Sequence, residues 1–334
     1  MGRAEQDIDE RKLSSWKLLD EFRQRLAKVQ ARTPKPQARP GGPERLLLEE
    51  DYFSLVLFGL CGLFNPVIKT MRGLCFASHL KRVQDEVCSR PVSLGSFSEA
   101  QGVFDPELLR QVFLDLSGEI STSWGDDRLA HLADKLKLVD GSLLPALPRM
   151  HWALWQNDSN RAAKLHLKFT VLRQAPDDAK VTHGNSCERK TLLDLVKKGE
   201  VVVGDRYYGL EYAYFGELRQ LGAPWVIRIR NNPRMEISEE MEAELIALIY
   251  RYRWQVELFF KWFKSILGCR HLMAESPDGV AIQIYSALIA ALMLQLLTGK
   301  RPGKRAMELI RLYLMGYAEL DEVITLVAPR KTEA

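Results

Sequence analysis

The chain has 334 residues, enough for one large domain or two smaller ones, each with a core of its own. Hydrophobic residues make up 46% and charged ones 27%, the composition of an ordinary globular protein, and the formal net charge of +4 is too small to prove a nucleic-acid partner without a local basic patch. The five cysteines (Cys61, Cys75, Cys88, Cys187 and Cys269) form no C-x-x-C pair or Cys/His cluster, which argues against a disulfide scaffold and a structural zinc site.

The opening stretch, MGRAEQDIDERKLSSWK, is too charged for a signal peptide. Leu13, Trp16, Leu19, Phe22, Leu26 and Val29 recur at helical spacing and predict an amphipathic helix within residues 1–30. ARTPKPQARPGGPE, from Ala31, is rich in proline, glycine and arginine and reads as an extended linker over 31–46. The next region, 47–130, has helical periodicity. Ser93-Leu-Gly-Ser-Phe-Ser reads as a turn entering a helix, and Pro106 suits the first turn of another. Two readings apply to this helical region: a reader of DNA ends, or a buttress for a catalytic domain.

After Asp134 the texture changes. Strands are expected at Lys135–Leu144, Lys164–Leu172 and Ala179–His183, then a helix at Cys187–Lys198. EVVVGD reads as a short strand ending at Asp205, Leu210–Leu221 as a helix, PWVIRIRNN as a further strand, and everything after Glu239 as helical. That order is the α/β order of a ribonuclease-H-like mixed sheet with flanking helices. It is expected over 131–298, preceded by the N-terminal helical region and followed by C-terminal helices over 299–334. Two apolar runs need a membrane check. Phe53–Phe64 is too short to span, and Val280–Leu297 is interrupted by Gln283 and Gln295, so a buried core helix is expected there. A cytoplasmic protein without a membrane partner is the corresponding expectation.

Asp140 falls in or at the end of the first strand, and Asp205 ends the fourth. Adjacent strands would bring both carboxylates to one edge, where their repulsion favours cations. Hard oxygen ligands select Mg²⁺ or Mn²⁺, and two such ions about 4 Å apart can activate a nucleophile and stabilise a leaving oxygen. Alternatively VDGS and GDRY are plain turns, since Asp-Gly is a common turn pair. The segment IYRYRWQVELFFKWFKSIL weighs against that. Read as one helix, it sets Tyr250, Arg253, Glu257 and Lys264 in one narrow stripe at about 100° per residue. Leu245, Ile249, Val256, Phe260, Phe263 and Leu267 form an apolar stripe beside it. Trp254 and Lys261 lie on the other side of the polar stripe. Trp254 is open to two readings, a stacking plate for an unpaired base or a ring packed on a neighbouring helix. Arg228 and Arg230 alternate with Ile227 and Ile229, and their shared face is expected to reach the same edge.

Tyr250-x2-Arg253-x3-Glu257-x6-Lys264 resembles the Y-(2)-R-(3)-E-(6)-K signature of bacterial DDE transposases of the insertion-sequence-four group. VDGS and GDRYYG look like that family's first and second acidic motifs, AKLHLKF like its second strand, and VSLGSFSEAQGVFDPELL like its N-terminal helical region. The resemblance runs from about Leu46 to Leu297. It implies cleavage and strand transfer at the terminal inverted repeats of an insertion sequence. Asp140, Asp205 and Glu257 would be ligands of two Mg²⁺ (or Mn²⁺) ions. Tyr250, Arg253 and Lys264 would grip DNA phosphates, with Lys261, Trp254, Arg228 and Arg230 extending the DNA surface. The implied partners are double-stranded repeat and target DNA, bound by a dimer in the bacterial cytoplasm. One departure is large. Asp205 and Glu257 are only 52 positions apart, so the family's β-rich insertion is nearly absent at 231–241. Relatives use that insertion when they receive a flipped base during hairpin formation. An alternative therefore stays open: an internally deleted remnant that only binds DNA or inhibits its parent.

Overall fold

The computed structural model of the chain describes residues 15–33, 47–60, 70–121, 127–132, 134–229, 243–314 and 317–327. Most of the expected linker and the whole of the stretch 231–241 lie outside the described residues. Two compact units emerge: 117–262, and a second built from 1–116 with 263–334. The boundaries between them fall inside two helices.

The second unit is helical throughout its described residues. It begins with α1 (Ser15–Arg32), which buries Leu19, Phe22, Leu26 and Val29 as its spacing predicts. Five helices follow: α2 (Glu49–Leu60), α3 (Met71–Ala77), α4 (Lys81–Glu86), α5 (Leu94–Ala100) and α6 (Pro106–Glu119). Ser93 caps α5 by accepting the Ser96 amide at 3.1 Å, and Pro106 opens α6. Asp51 on α2 is buried, and the amide and hydroxyl of Ser89 donate to its two carboxylate oxygens at 3.1 and 2.7 Å. The unit's long apolar helix, which becomes α11 in chain order (Pro277–Thr298), is started by the Ser276 cap and Pro277, and stopped by Gly299 in the left-handed region. Among the described residues it alone is long and apolar enough to cross a membrane, yet 83% of its apolar window is buried. Gln283, which interrupts the apolar run, is satisfied within the unit. Its side-chain oxygen accepts the Met273 amide and its amide donates to the His271 carbonyl, both at 2.8 Å. Helices at Lys304–Leu314 and Leu320–Val327 close the described chain.

Unit 117–262 is built on one mixed sheet. Its strands are β1 (Leu136–Pro145), β2 (Leu154–Trp155), β3 (Asn157–Thr170), β4 (Ala175–His183), β5 (Val201–Gly204) and β6 (Trp225–Ile227). Across the sheet the order is β4-β3-β1-β5-β6, with the short β2 also on β3. The pairs β4-β3 and β3-β1 are antiparallel; β1-β5 and β5-β6 are parallel. This is the ribonuclease-H-like arrangement that the order of elements predicts. α7 (Glu188–Leu193) and α8 (Ala213–Leu221) pack on one face, where Val139, Leu192, Leu195, Val202, Tyr208 and Leu218 share a core. Phe169 of β3 and Phe259 tie the other face to the helical segment after residue 243, their ring centroids 5.6 Å apart.

One alternative and two expectations differ from what is observed. β1 runs unbroken through Val139-Asp140-Gly141-Ser142, so this Asp-Gly pair is mid-strand and makes no turn. The last strand is only Trp225–Ile227, which leaves Arg228 just past its end, exposed; Arg230 lies outside the described residues. The segment around Glu257 is two helices, α9 (Ala243–Arg251) and α10 (Trp254–Ser265). Between them the Tyr252, Arg253, Gln255 and Val256 amides bond three residues back, to Ile249, Tyr250, Tyr252 and Arg253. That tighter turn shifts Tyr250 out of the regular 3.6-residue progression of α10. No proline or glycine marks the break in the sequence.

Candidate active site

Asp140 and Asp205 are brought together by strand register. The parallel pairing sets Leu136 beside Val201 and Leu138 beside Val203. Continuing that register two positions on puts Asp140 level with Asp205, one residue past the end of β5. Neighbouring strands run about 4.8 Å apart, so the two acids stand side by side on adjacent inner strands, at the C-terminal end of β5. Asp205 is followed by a turn in which its Oδ1 accepts the Tyr207 amide at 2.8 Å. Buried Arg189 fixes that turn: it donates to the Tyr207 carbonyl at 2.9 Å, lies over the Tyr207 ring, and pairs with Glu211. Gly209 is needed there, because a Cβ would stand 2.5 Å from the Arg228 carbonyl oxygen.

Asp140 has its Oδ1 bonded to the Gly141 amide at 2.8 Å. Burial, followed by the negative charges of Asp205, Glu188 and Glu257, pushes its carboxyl up to about 7, against the opposing pull of the Gly141 amide. Asp205, Glu188 and Glu257 therefore each lie within electrostatic reach of Asp140. Among the described residues, neither Asp140 nor Asp205 forms an ion pair. Glu257 does: Arg253, one turn earlier, donates to it. Burial lowers the Arg253 pKa, but Glu257 outweighs burial and holds the guanidinium above its ordinary value.

The four signature residues Tyr250, Arg253, Glu257 and Lys264 are each half-buried, while Val256, Phe260, Phe263 and Leu267 of the apolar stripe are buried. Lys264 lies on α10 but beyond residue 262, in the other compact unit. Trp254 is 59% exposed rather than packed on a neighbouring helix, and Leu258 and Lys261 continue an exposed stripe along α10. The Arg253 guanidinium stands 5.4 Å from the Trp254 ring centre and 5.7 Å from that of Tyr250.

The carboxylates of Asp140, Asp205 and Glu257 suit a hard divalent cation in kind, and among the described residues Arg253 on Glu257 is the one side-chain cation paired with any of them, Lys164 being paired with Glu188 instead. They are not drawn into a ready cage, since among the described residues no three His, Cys, Asp or Glu side chains are grouped closely enough to hold a metal ion. Glu188 and Lys164 escape a reading of sequence alone. Glu188 opens a helix after the third core strand, and nothing in its local spacing links it to VDGS.

Residues 132–293 match the family described as Transposase DDE domain, a little under half of the chain. A Synechocystis sp. protein described as "Putative transposase for insertion sequence element IS4SA" is 39% identical over 84 residues, 24% of this chain and 25% of that protein. The Escherichia coli "Transposase for insertion sequence element IS421" is 41% identical over 57 residues, 17% of this chain and 15% of its own length. The matched stretches thus span a quarter or less of these relatives. A structure described as "Cryo-EM structure of piggyBac transposase synaptic complex with hairpin DNA" aligns over 99% of this chain and 87% of its own. Its TM-score is 0.43 at 11% identity, too distant to bear on fold or function. On the strength of the family match, the segment carrying Asp140, Asp205 and Glu257 is similar to the DDE domain of transposases.

Proposed function

We propose that this protein is a transposase that cuts and joins DNA at the terminal inverted repeats of an insertion sequence, with Asp140, Asp205 and Glu257 as its metal-binding carboxylates. The observation that carries this reading is the strand register that sets Asp140 level with Asp205, just past the end of β5 in a ribonuclease-H-like sheet, with the charge of Glu257 also reaching Asp140. A charge cluster with this excess of acid is unfavourable alone and becomes favourable around divalent cations. When bound, Mg²⁺ or Mn²⁺, as a pair, would supply an activated nucleophile and charge stabilisation at the leaving oxygen.

The chain's own residues do the rest. Asp140 and Asp205 present carboxylates from adjacent strands, and Arg253 orients Glu257 toward them. The guanidinium of half-buried Arg253, paired with Glu257, would contact a phosphate oxygen. Tyr250 and Lys264, the other two signature positions, would contact neighbouring phosphates. Exposed Trp254 and Lys261 would extend the DNA path along α10, and Arg228 would extend it at the end of β6; Arg230 joins them on sequence grounds only. The DNA would be bound by a dimer.

The test is a labelled duplex carrying the element's terminal repeat, incubated with protein and Mg²⁺ and resolved on a denaturing gel. Asp140→Asn or Asp205→Asn should reduce nicking at the 3′ end by at least about a thousandfold while DNA binding persists. Nicking that survives both substitutions would sink the assignment. A band shift without any nicking by the unaltered protein would instead support the remnant reading, which rests on the short Asp205–Glu257 spacing.

A further inference from the structure

Asp140 and Asp205 are held in different ways. Asp140 lies mid-strand, paired with Leu167 of β3, so the sheet fixes its backbone. Asp205 lies one residue past β5, whose pairing with β6 ends at Gly204 opposite Ile227. Its backbone is set by the turn that follows, and that turn is anchored from another element.

The anchor is Arg189, the second residue of α7, only 8% exposed. A buried guanidinium needs several acceptors. Arg189 donates through Nη1 to the Tyr207 carbonyl at 2.9 Å and through Nη2 to Glu211, and its Cζ stands 4.7 Å from the Tyr207 ring centre. The amide of the same Tyr207 donates to Asp205 Oδ1 at 2.8 Å. One residue thus joins the two side chains: its carbonyl meets Arg189 and its N–H meets Asp205. A role limited to balancing charge would need only Glu211, whose side chain is 62% exposed. It would leave the grip on the Tyr207 carbonyl and ring without a purpose.

We propose that Arg189 is a positioning residue for Asp205: its fork holds the Tyr207 carbonyl and ring, and the Tyr207 amide then holds the carboxylate in one orientation for a divalent cation. The proposal rests on the reading of Asp140, Asp205 and Glu257 as metal-binding carboxylates. Arg189 is assigned no contact with the cation or with DNA.

The experiment is Mn²⁺ binding to the purified full-length chain without DNA, followed by the electron paramagnetic resonance of free Mn²⁺. By charge alone, removing a cation beside the Asp205 turn would tighten Mn²⁺ binding. Arg189→Met should instead weaken it about tenfold, because the partners that orient a ligand carry about 10–100-fold of metal affinity. Arg189→Lys keeps the charge without the fork and should weaken binding about threefold, so a Met variant that fails to fold still leaves a test. Glu211→Gln removes the outer partner but leaves the Tyr207 carbonyl, and should stay within about twofold of the parent. Hydrogen exchange of the metal-free chain gives a second readout: the peptide carrying the Tyr207 amide should exchange faster in Arg189→Lys than in Glu211→Gln. Parental or tighter Mn²⁺ binding in every Arg189 variant that folds overturns the proposal. So does a loss in Glu211→Gln as large as theirs, or unchanged exchange at Tyr207. Asp205→Asn separates the two levels. If it abolishes Mn²⁺ binding while the Arg189 variants bind as the parent does, the proposal falls and the acidic site stands. If Asp205→Asn itself changes nothing, the reading of the acids falls and the proposal with it.

Discussion

β1 carries two charge clusters of opposite design. Near its start, Lys137 joins Lys168, Asp177 and Glu200 in a buried network. Lys168 reaches Glu200 at 2.9 Å and Asp177 at 3.0 Å; Lys137 reaches Asp177 at 3.2 Å and the Thr170 hydroxyl at 2.8 Å. Two ammonium groups face two carboxylates. Burial would raise Asp177, but the lysines beside it hold its carboxyl below the ordinary range. Three residues further along, among the described residues, Asp140 feels the charges of three other acids, of which Glu188 and Glu257 are each paired with one cation. The first cluster shows how this sheet treats charges that only hold it together: they are buried, paired and balanced. The second is left with acid in excess, and Asp140 is driven toward its neutral form. The difference is what the proposed metal-binding role of the second cluster would explain.

The comparison can be broken most sharply at Lys168. Lys168→Met leaves Asp177 and Glu200 buried with Lys137 alone, and should cost about 3–5 kcal/mol of stability in urea unfolding. A loss well under 1 kcal/mol would show that the balanced cluster does not hold the sheet together.

Asp140→Asn should act with the opposite sign. Below the ordinary carboxylate range Asp140 is protonated in both folded and unfolded chains and contributes nothing. As pH rises from about 4 toward 7, the unfolded chain releases this proton while the folded chain keeps it, so the folded state loses ground. In the absence of divalent ions the variant should therefore be more stable at pH 8, by about 1–3 kcal/mol once solvent relaxation is allowed for, and equal to the parent at pH 3.5. Thermal melts at the two pH values decide it. A variant less stable than the parent at pH 8 would remove the contrast between the clusters.

Much of the fold and part of the site were legible in the sequence, and the exceptions have physical causes. The order of strands and helices in 134–227 follows from hydrophobic period and turn residues, and strand register alone then sets Asp140 level with Asp205. The α9–α10 break was not legible, because IYRYRW keeps helical spacing and the i→i+3 tightening uses residues that fit either geometry. The Lys137–Lys168–Asp177–Glu200 network and the seat of Glu188 at Gly141 were equally hidden. The first depends on which side chains face each other across antiparallel strands and the second on where α7 packs on β1, and contacts between distant segments leave no local pattern. The short last strand belongs with them: IRIR alternates as a strand should, but pairing with β5 ends at Ile227.

Two weaker effects sharpen the contrast by testing whether the proposed DNA path follows α10. Trp254, being exposed, should tolerate Trp254→Ala with less than about 0.5 kcal/mol change in stability. If it is a stacking plate, binding of a repeat end with unpaired bases should weaken by about 1–3 kcal/mol, and binding of a fully paired duplex by much less. Equal loss on both substrates would assign the ring to the duplex surface.

Lys261 should give the smallest effect and the cleanest one to interpret. It lies two turns beyond Trp254 on the exposed stripe of α10, away from the stripe that packs on the sheet, so Lys261→Gln should leave stability near that of the parent. A lysine that neutralises one phosphate releases its condensed counterion, and the plot of log affinity against log salt flattens by about 0.9 when that lysine is lost. At a single low salt concentration the variant would look only mildly weaker, and the weakening should shrink as salt rises. The same change should appear on a duplex of unrelated sequence, because a phosphate contact carries no sequence information. Fluorescence anisotropy over a salt series measures the slope directly. A slope unchanged by Lys261→Gln, on repeat and unrelated DNA alike, would mean that the phosphate path leaves α10 before its third turn and that the acids approach DNA from the β6 side.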